Sequence, residues 1–501
     1  GPEQVLLSTD FGQVSSDPFP EGTVAYAAEM GERLKGFLTR EAFIAMFSAN
    51  GRRALGLDGA GRGAEIMKGI SGRPHIEAQI ACRDARPLQR DVAILRRRDD
   101  RALDEAAAWD ALAEASSIRP RLFGLSLAVK ACFDVDGWPT TAASKVLADR
   151  PAAQSDALLV AALRRHGAIV TSQTNMTEFA FGALGLNPHH GTPRTPLDPT
   201  GERIAGGSTS GGAVAVAMKF ADVALGSDTS GSVRIPAAFC GLVGFKPSRG
   251  RYPDQGMLFL SPTFDVPGFI AQDVETCARV DGALTGDLAA PADGIDLKGR
   301  RFLLPADFAL EGADPTVVAA FQRALEALEA AGAELVEQKW PELATYGPIA
   351  VEGGIIVAEA FAWHRTYLLG RASDYDPRVG PRIATGGEVR ASDYIAAKQE
   401  LARLGISYHQ RLAGFDAMIT PTVPMLPPRV SEVENDESYY PANRLSFRLT
   451  EIANRIDEPS VSLPMSPDQP LGLMLTGRNG GDRRILELSR TVQSVLQESW
   501  A

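Results

Sequence analysis

Gly206-Gly207-Ser208-Thr209-Ser210-Gly211-Gly212, a small apolar run from Ala213 to Leu225, then Gly226-Ser227-Asp228-Thr229-Ser230-Gly231-Ser232-Val233-Arg234: the reading of the chain turns on this stretch. Five serines, two threonines and six glycines fall into two turns on either side of the apolar run. Glycine lets a backbone take crowded or left-handed conformations and approach a ligand closely. Hydroxyls beside such turns suit nucleophilic attack, and clustered backbone N–H groups suit an oxyanion. No lysine follows either cluster in the G-x-x-x-x-G-K-[ST] arrangement, which argues against a phosphate-cradling loop. The pattern predicts a serine nucleophile.

The chain holds 6 histidines in 501 residues, and none lies in the glycine–serine block. There is no G-x-S-x-G elbow, so a Ser-His-Asp arrangement has no recognisable partner for its serine. A serine without imidazole can be activated by a neutral lysine, because burial lowers the ammonium pKa and turns the amine into a base. Leu122 to Val129 forms an apolar, strand-like run that delivers Lys130 at its end. A lysine in that place is costly unless it is paired or functional. The alternative is a side chain that snorkels to the surface, and spacing alone leaves both open.

Composition narrows the class. The formal net charge of −11 argues against unassisted binding to nucleic acid or anionic membranes. No apolar run approaches the roughly 20 residues needed to span a bilayer, and a hydrophobic content of 45% suffices for a large core. With 4 cysteines, no C-x-x-C pair and no secretory segment, neither a disulfide framework nor a zinc site is expected. Cys132 and Cys240 read as small buried hydrophobes. His189 and His190 read as loop or packing residues, and Arg96-Arg97-Arg98 before Asp99-Asp100 as a solvated, salt-bridged helix face.

Strand-like runs over 122–129, 168–171, 223–226, 301–304, 333–336, 417–420, 460–463 and 471–475 alternate with helical segments, which predicts an α/β sheet covered by helices. One helix is well punctuated: Asp314 as N-cap, Pro315 in the first turn, apolar residues at helical spacing to Leu328, and Gly332 past its end. The proline-rich stretch from Thr420 to Asn443 reads as a surface loop near the substrate entrance.

Several further motifs stand in order around the serine turns. They are Leu127-Ala128-Val129-Lys130 with Phe133–Gly137 and Thr140–Ser144, Thr174–Phe179 with Asn187-Pro188-His189, Ile419-Thr420-Pro421-Thr422, and Leu471–Leu475. Together they resemble the amidase signature hydrolases, from about Pro87 to the C-terminus. The resemblance implies a single large α/β domain over 81–501, a mixed β-sheet covered on both faces by helices, with 1–80 as an N-terminal extension and linker. It further implies that Lys130 is the general base, Ser208 a relay serine next to a cis peptide, and Ser232 the nucleophile. The interval between the two serines equals the family's and selects Ser208 over Ser210. The N–H groups of Thr229, Ser230, Gly231 and Ser232 would form the oxyanion hole, while Asp228 and Arg234 brace the turn. By analogy Phe181 and Leu184 line the acyl pocket, and their apolar character suggests an aryl or alkyl acyl group. The chain departs from many relatives at Ala131, where they carry aspartate, and at Ser230, where they carry glycine; both changes bear on substrate preference.

The expected activity is hydrolysis of a small-molecule carboxamide through a serine acyl-enzyme, without cofactor or metal, by a cytoplasmic protein that binds neither nucleic acid nor membrane. The alternatives are the amidase component of a glutamine-dependent tRNA amidotransferase, a urea-type (allophanate-like) hydrolase, or a non-catalytic scaffold. The N-terminal segment, with Ser8-Thr9-Asp10-Phe11-Gly12, weakly resembles the end of a metal-dependent amidohydrolase barrel. Alone it cannot assemble that family's metal site, so Asp10 reads as structural. The segment is either a fused or remnant domain or a helical extension that aids homodimer formation.

Overall fold

The computed structural model describes residues 72–116, 119–286 and 295–500, and the expectations for Asp10 and its neighbours lie outside them. Among the described residues there are eleven strands: β1 (Ile94–Arg97), β2 (Ser126–Lys130), β3 (Ile169–Thr174), β4 (Val223–Asp228), β5 (Val243–Lys246), β6 (Val266–Ala271), β7 (Arg301–Leu304), β8 (Glu334–Glu337), β9 (Ala417–Pro421), β10 (Ser460–Pro464) and β11 (Gly472–Thr476). They form one sheet in the order β1-β3-β2-β4-β6-β5-β10-β11-β9-β7-β8. Pairing is parallel for β2 with β3 and β4 and for β7 with β8 and β9, and antiparallel elsewhere.

Side chains alternate across a strand, and here both faces are covered. Leu127 and Val129 of β2, Val223 and Leu225 of β4, Ile419 of β9, and Leu473 and Leu475 of β11 enter one core. On that face lie the helices Leu158–Arg165, Val274–Thr285, Pro315–Ala330 and Asp482–Glu498, which contribute Leu163, Val280, Phe321 and Val492. The intervening Ala128 and Ala224 face the helix Ser210–Ala217, and Met418 and Met474 face the helices Leu343–Glu352 and Ala391–Arg411. Strands buried on both faces read as continuous apolar runs, which is why β2, β4 and β9 are legible in the sequence.

All eight predicted strand regions contain strands; 301–304 coincides with β7, and the others have shifted ends. Leu122–Leu125 is a turn closed by Leu125 N–H on the Leu122 carbonyl (3.0 Å), so the strand begins at Ser126. Strands β1, β5 and β6 have no counterpart among the predicted runs. Gly244, Pro267 and Gly268 interrupt the apolar pattern of β5 and β6. Arg96 and Arg97 belong to β1 rather than to a helix face; only at Asp99 does the helix Asp99–Ser116 begin. Arg97 pairs with Asp84 at 3.0 Å, whereas Arg98 stacks over Trp138 at 4.7 Å from the ring centroid. The stretch read as a loop after Thr420 includes the helix Asp436–Phe447, capped by Asn435, whose side chain accepts the Ser438 N–H at 2.9 Å. The punctuated helix spans Pro315–Ala330, with Asp314 Oδ1 accepting the Thr316 N–H at 2.7 Å.

The sheet positions the site through two parallel neighbours. Val129 of β2 lies opposite Leu225 of β4. The carboxyl ends of the two strands therefore deliver Lys130 and Ser227-Asp228 side by side, at the place where open α/β sheets commonly hold their ligands.

Candidate active site

Lys130 is fully buried. Its Nζ lies 2.7 Å from Ser208 Oγ, 2.9 Å from Ser227 Oγ and 3.1 Å from the Ser227 carbonyl oxygen. No carboxylate lies within ion-pair distance of it among the described residues. Burial pushes its pKa below the ordinary lysine value, against the pull of Cys132, Asp265 and Asp228, so the neutral amine is favoured. The snorkelling alternative is thereby set aside.

Ser208 follows a cis Gly207–Ser208 peptide and precedes the helix Ser210–Ala217. Its carbonyl accepts the Thr177 N–H at 3.1 Å, and the Gly207 N–H donates to the Ala183 carbonyl at 2.6 Å. A Cβ on Gly207 would stand 2.7 Å from both Thr177 Oγ1 and Gly185 N, so only glycine lets these segments meet. Thr209 N–H donates to the Ser232 carbonyl at 3.1 Å, which ties the two serine turns together. Ser232 is buried at the start of the helix Arg234–Phe239.

Asp228 and Arg234, both fully buried, form an ion pair at 2.9 Å. Burial pushes the Asp228 carboxyl up, but the Arg234 charge and the hydrogen bonds from Arg234 and the Val233 N–H outweigh it and hold the group below the ordinary carboxylate range. Arg234 also donates to Asn454 Oδ1 (2.6 Å) and to the Thr450 carbonyl (2.9 Å). The pair therefore braces the turn, as the sequence suggested.

Gly231 is hydrogen-bonded within the turn. Its N–H donates to Asp228 Oδ1 at 2.8 Å, while the N–H groups of Thr229, Ser230 and Ser232 find no acceptor among the described residues. Its φ of +130° and a Cβ position that would collide with Thr450 both require glycine.

Three residues from the far end of the chain complete the turn, and the sequence reading passed over them. Asn454 Nδ2 donates to the Asp228 carbonyl (2.8 Å), Arg455 Nη1 to the Thr229 carbonyl (3.3 Å) and Thr450 Oγ1 to the Ser230 carbonyl (2.6 Å). Nothing local in residues 450–455 announces this; only the fold brings them there.

The rim carries unusual backbone. Ala142 (φ 48°), Ala143 (φ 52°), Phe179 (φ 49°) and Ala180 (φ 61°) are left-handed without being glycine, and the Phe179 N–H donates to the Ala142 carbonyl at 3.1 Å. Such conformations cost about 1–3 kcal/mol each and persist where surroundings over-determine them. Buried Glu178 does part of this, accepting from Ser144 Oγ (2.6 Å) and the Asp376 N–H (2.7 Å) and pairing with His189 (2.9 Å). His189 is thus a tie between motifs rather than mere loop packing. Burial pushes Glu178 up to about 7.

Phe181 and Leu184 are both buried but pack into different clusters, Leu184 with Ile235, Ala238 and Phe239. Over the Phe181 ring, 4.1 Å from its centroid, lies the Arg382 guanidinium, which also donates to the Phe181 carbonyl at 3.2 Å. Arg382 has no carboxylate within ion-pair distance among the described residues. Cys132 and Cys240 are buried, and burial pushes both thiols up. Among the described residues no group of three His, Cys, Asp or Glu side chains is placed to hold a metal, and no helix is long and apolar enough to cross a membrane.

Comparison with known proteins gives the family. The sequence profile of the amidase family matches residues 79–486. A 2-amino-5-chloromuconic acid deaminase from Comamonas testosteroni is 34% identical over 407 residues, 80% of this chain and 88% of the relative. The A-type component of the glutamyl-tRNA(Gln) amidotransferase of Koribacter versatilis (strain Ellin345) is 30% identical over 435 residues, 79% and 89% of the two chains. A crystal structure of an amidase superposes with a TM-score of 0.76 at 32% identity, covering 85% of this chain and 96% of that one. The chain belongs to the amidase family, and it is a hydrolase of the amidase-signature type.

Proposed function

We propose that this amidase cleaves a small carboxamide through an acyl-enzyme on Ser232, with Ser208 as proton relay and Lys130 as base. The observation that carries the reading is the buried, carboxylate-free amine 2.7 Å from Ser208 Oγ. The two N–H groups of a neutral amine can donate to the Ser227 carbonyl and hydroxyl, which leaves its lone pair for the Ser208 proton. Ser208 then takes the proton of Ser232, and Ser232 Oγ attacks the amide carbonyl. The N–H groups of Thr229, Ser230 and Ser232 receive the oxyanion, while Gly231 serves the turn through Asp228. The proton returns through Ser208 to the leaving nitrogen, and water releases the carboxylate.

Arg382 refines the expected acyl group. A guanidinium without an acidic partner beside Phe181 favours a substrate with an anionic group on its acyl side over a purely alkyl or aryl one. The relative from Comamonas testosteroni is named for an acid substrate. Fluorophosphonate treatment followed by peptide mass spectrometry tests the nucleophile: one adduct on Ser232, slowed in Lys130→Ala, is expected, and an unlabelled Ser232 in folded protein would sink the reading. Ammonia release by the purified chain alone separates a stand-alone amidase from a component of an amidotransferase complex.

A further inference from the structure

Each peptide unit of the turn before Ser232 has two ends. Carbonyl and N–H of a trans peptide point in opposite directions, so a partner that holds the carbonyl also aims the N–H. The Thr229 carbonyl shares its peptide with the Ser230 N–H, one of the three donors left free for the oxyanion. That carbonyl accepts from Arg455 Nη1 at 3.3 Å, and Arg455 Nη2 lies 3.0 Å from Ser230 Oγ on the same residue. Arg455 thus grips both the peptide and the side chain at the position where many relatives have glycine.

The guanidinium is itself held. Glu451, one helical turn earlier, accepts from Nη2 at 2.8 Å, and the Phe264 ring lies 4.6 Å from the guanidinium carbon. Glu451 in turn packs directly on Gly347, where a Cβ would collide with its carboxylate. Arg455 and Ser230 are both about 5% exposed, so their hydrogen bonds are shielded from water, where they are electrostatically stronger. A cation hydrogen-bonded to the carbonyl end of a peptide polarises it and strengthens the N–H at the other end as a donor.

We propose that Arg455, acting through Ser230 and the Thr229–Ser230 peptide, sets the aim and donor strength of the oxyanion hole. Arg455 is a positioning residue: it touches the turn and not the reacting atoms. The inference rests on the reading of Ser232 as nucleophile. In the ground state the Ser230 N–H has little charge to stabilise, so the contribution of Arg455 enters at the transition state.

The test is the kinetics of Ser232 phosphonylation by a fluorophosphonate on the full chain, with the maximal rate and the half-saturating concentration measured separately. Loss of a whole oxyanion donor costs about 10²–10³ in rate, and a weakened donor should cost about tenfold. Arg455→Met is expected to lower the maximal rate by about that factor with the half-saturating concentration within about twofold. Arg455→Lys, which keeps the charge, recovers part of the rate. Ser230→Gly loses only the side-chain arm and falls less than Arg455→Met, and the two changes together are less than additive. A folded Arg455→Met that labels at the wild-type rate overturns the proposal. If Arg455→Met does not fold, a wild-type maximal rate in Arg455→Lys together with simple additivity toward Ser230→Gly overturns it instead. Wild-type protein without an adduct on Ser232 would remove the nucleophile reading, and this inference with it.

Discussion

Replacing Arg234 by methionine keeps much of the side-chain volume and removes the charge that neutralises Asp228. Both groups are wholly buried, and the arginine makes contacts to Asp228 at 2.9 and 3.2 Å, to Asn454 at 2.6 Å and to the Thr450 carbonyl at 2.9 Å. Removing one partner of a buried ion pair costs about 3–5 kcal/mol, because the remaining charge stays out of water uncompensated. Asp228 would keep three donors: the Gly231 N–H (2.8 Å), the Val233 N–H (3.0 Å) and Asn454 Nδ2 (2.9 Å). The expected loss therefore sits near the lower end, about 3 kcal/mol at neutral pH.

The pH dependence makes this prediction sharper. In the wild-type protein the Asp228 pKa is depressed, so its stabilisation is present above the unfolded value of about 3.9 and is lost as pH falls through the folded value. In Arg234→Met the burial that pushes this carboxyl up meets far less opposition. The folded pKa then lies above the unfolded one, the penalty is full above the folded value, and protonation relieves it as pH falls. Urea unfolding followed by tryptophan fluorescence measures the difference, with buried Trp340 among the reporters. The reasoning is refuted if the variant lies within about 1 kcal/mol of wild type at pH 7. It is equally refuted if the loss at about pH 5 is no smaller than the loss at neutral pH.

Further outcomes are expected for the base and for two glycines. Activity should rise with pH as Lys130 loses its proton, and Lys130→Met should lower kcat by about 10²–10⁴; a pH–rate profile flat down to about pH 4 would contradict the base assignment. Gly231→Ala places a Cβ against Thr450 and 2.9 Å from Ile235 Cδ1 at a φ of +130°, so it should lose well over about 1 kcal/mol and slow fluorophosphonate labelling. Gly286→Ala, left-handed but with nothing within 4 Å of its Cβ, is the control: it should cost about 1–2 kcal/mol and leave labelling unchanged.

Much of the site was legible because its signals are local. Lys130 stands at the end of an apolar run that is a strand buried on both faces, and a charge there is conspicuous. The serine turns are dense in residues that special backbone geometry demands, as Gly207 and Gly231 show. The helix after Asp314 was legible because capping and periodicity are short-range. The strands β5 and β6 were not, since glycine and proline break the pattern and their pairing partners lie elsewhere in the chain. The stretch after Thr420 reads as loop from its prolines, yet Pro441 is carried inside the helix Asp436–Phe447.

By itself the sequence determined the family and the α/β class, because ordered motifs and alternating apolar runs are local signals, and the resemblance to that family singled out the lysine and two serines proposed here for catalysis. The tertiary structure alone decided which backbone N–H groups of the turn are free, since Asp228 takes that of Gly231. It alone brought Thr450, Asn454 and Arg455 onto carbonyls more than two hundred positions away, and set Arg382 over Phe181. Hydrogen-bond partners across such distances are set by how strands and helices pack, and packing leaves no spacing in the chain to read.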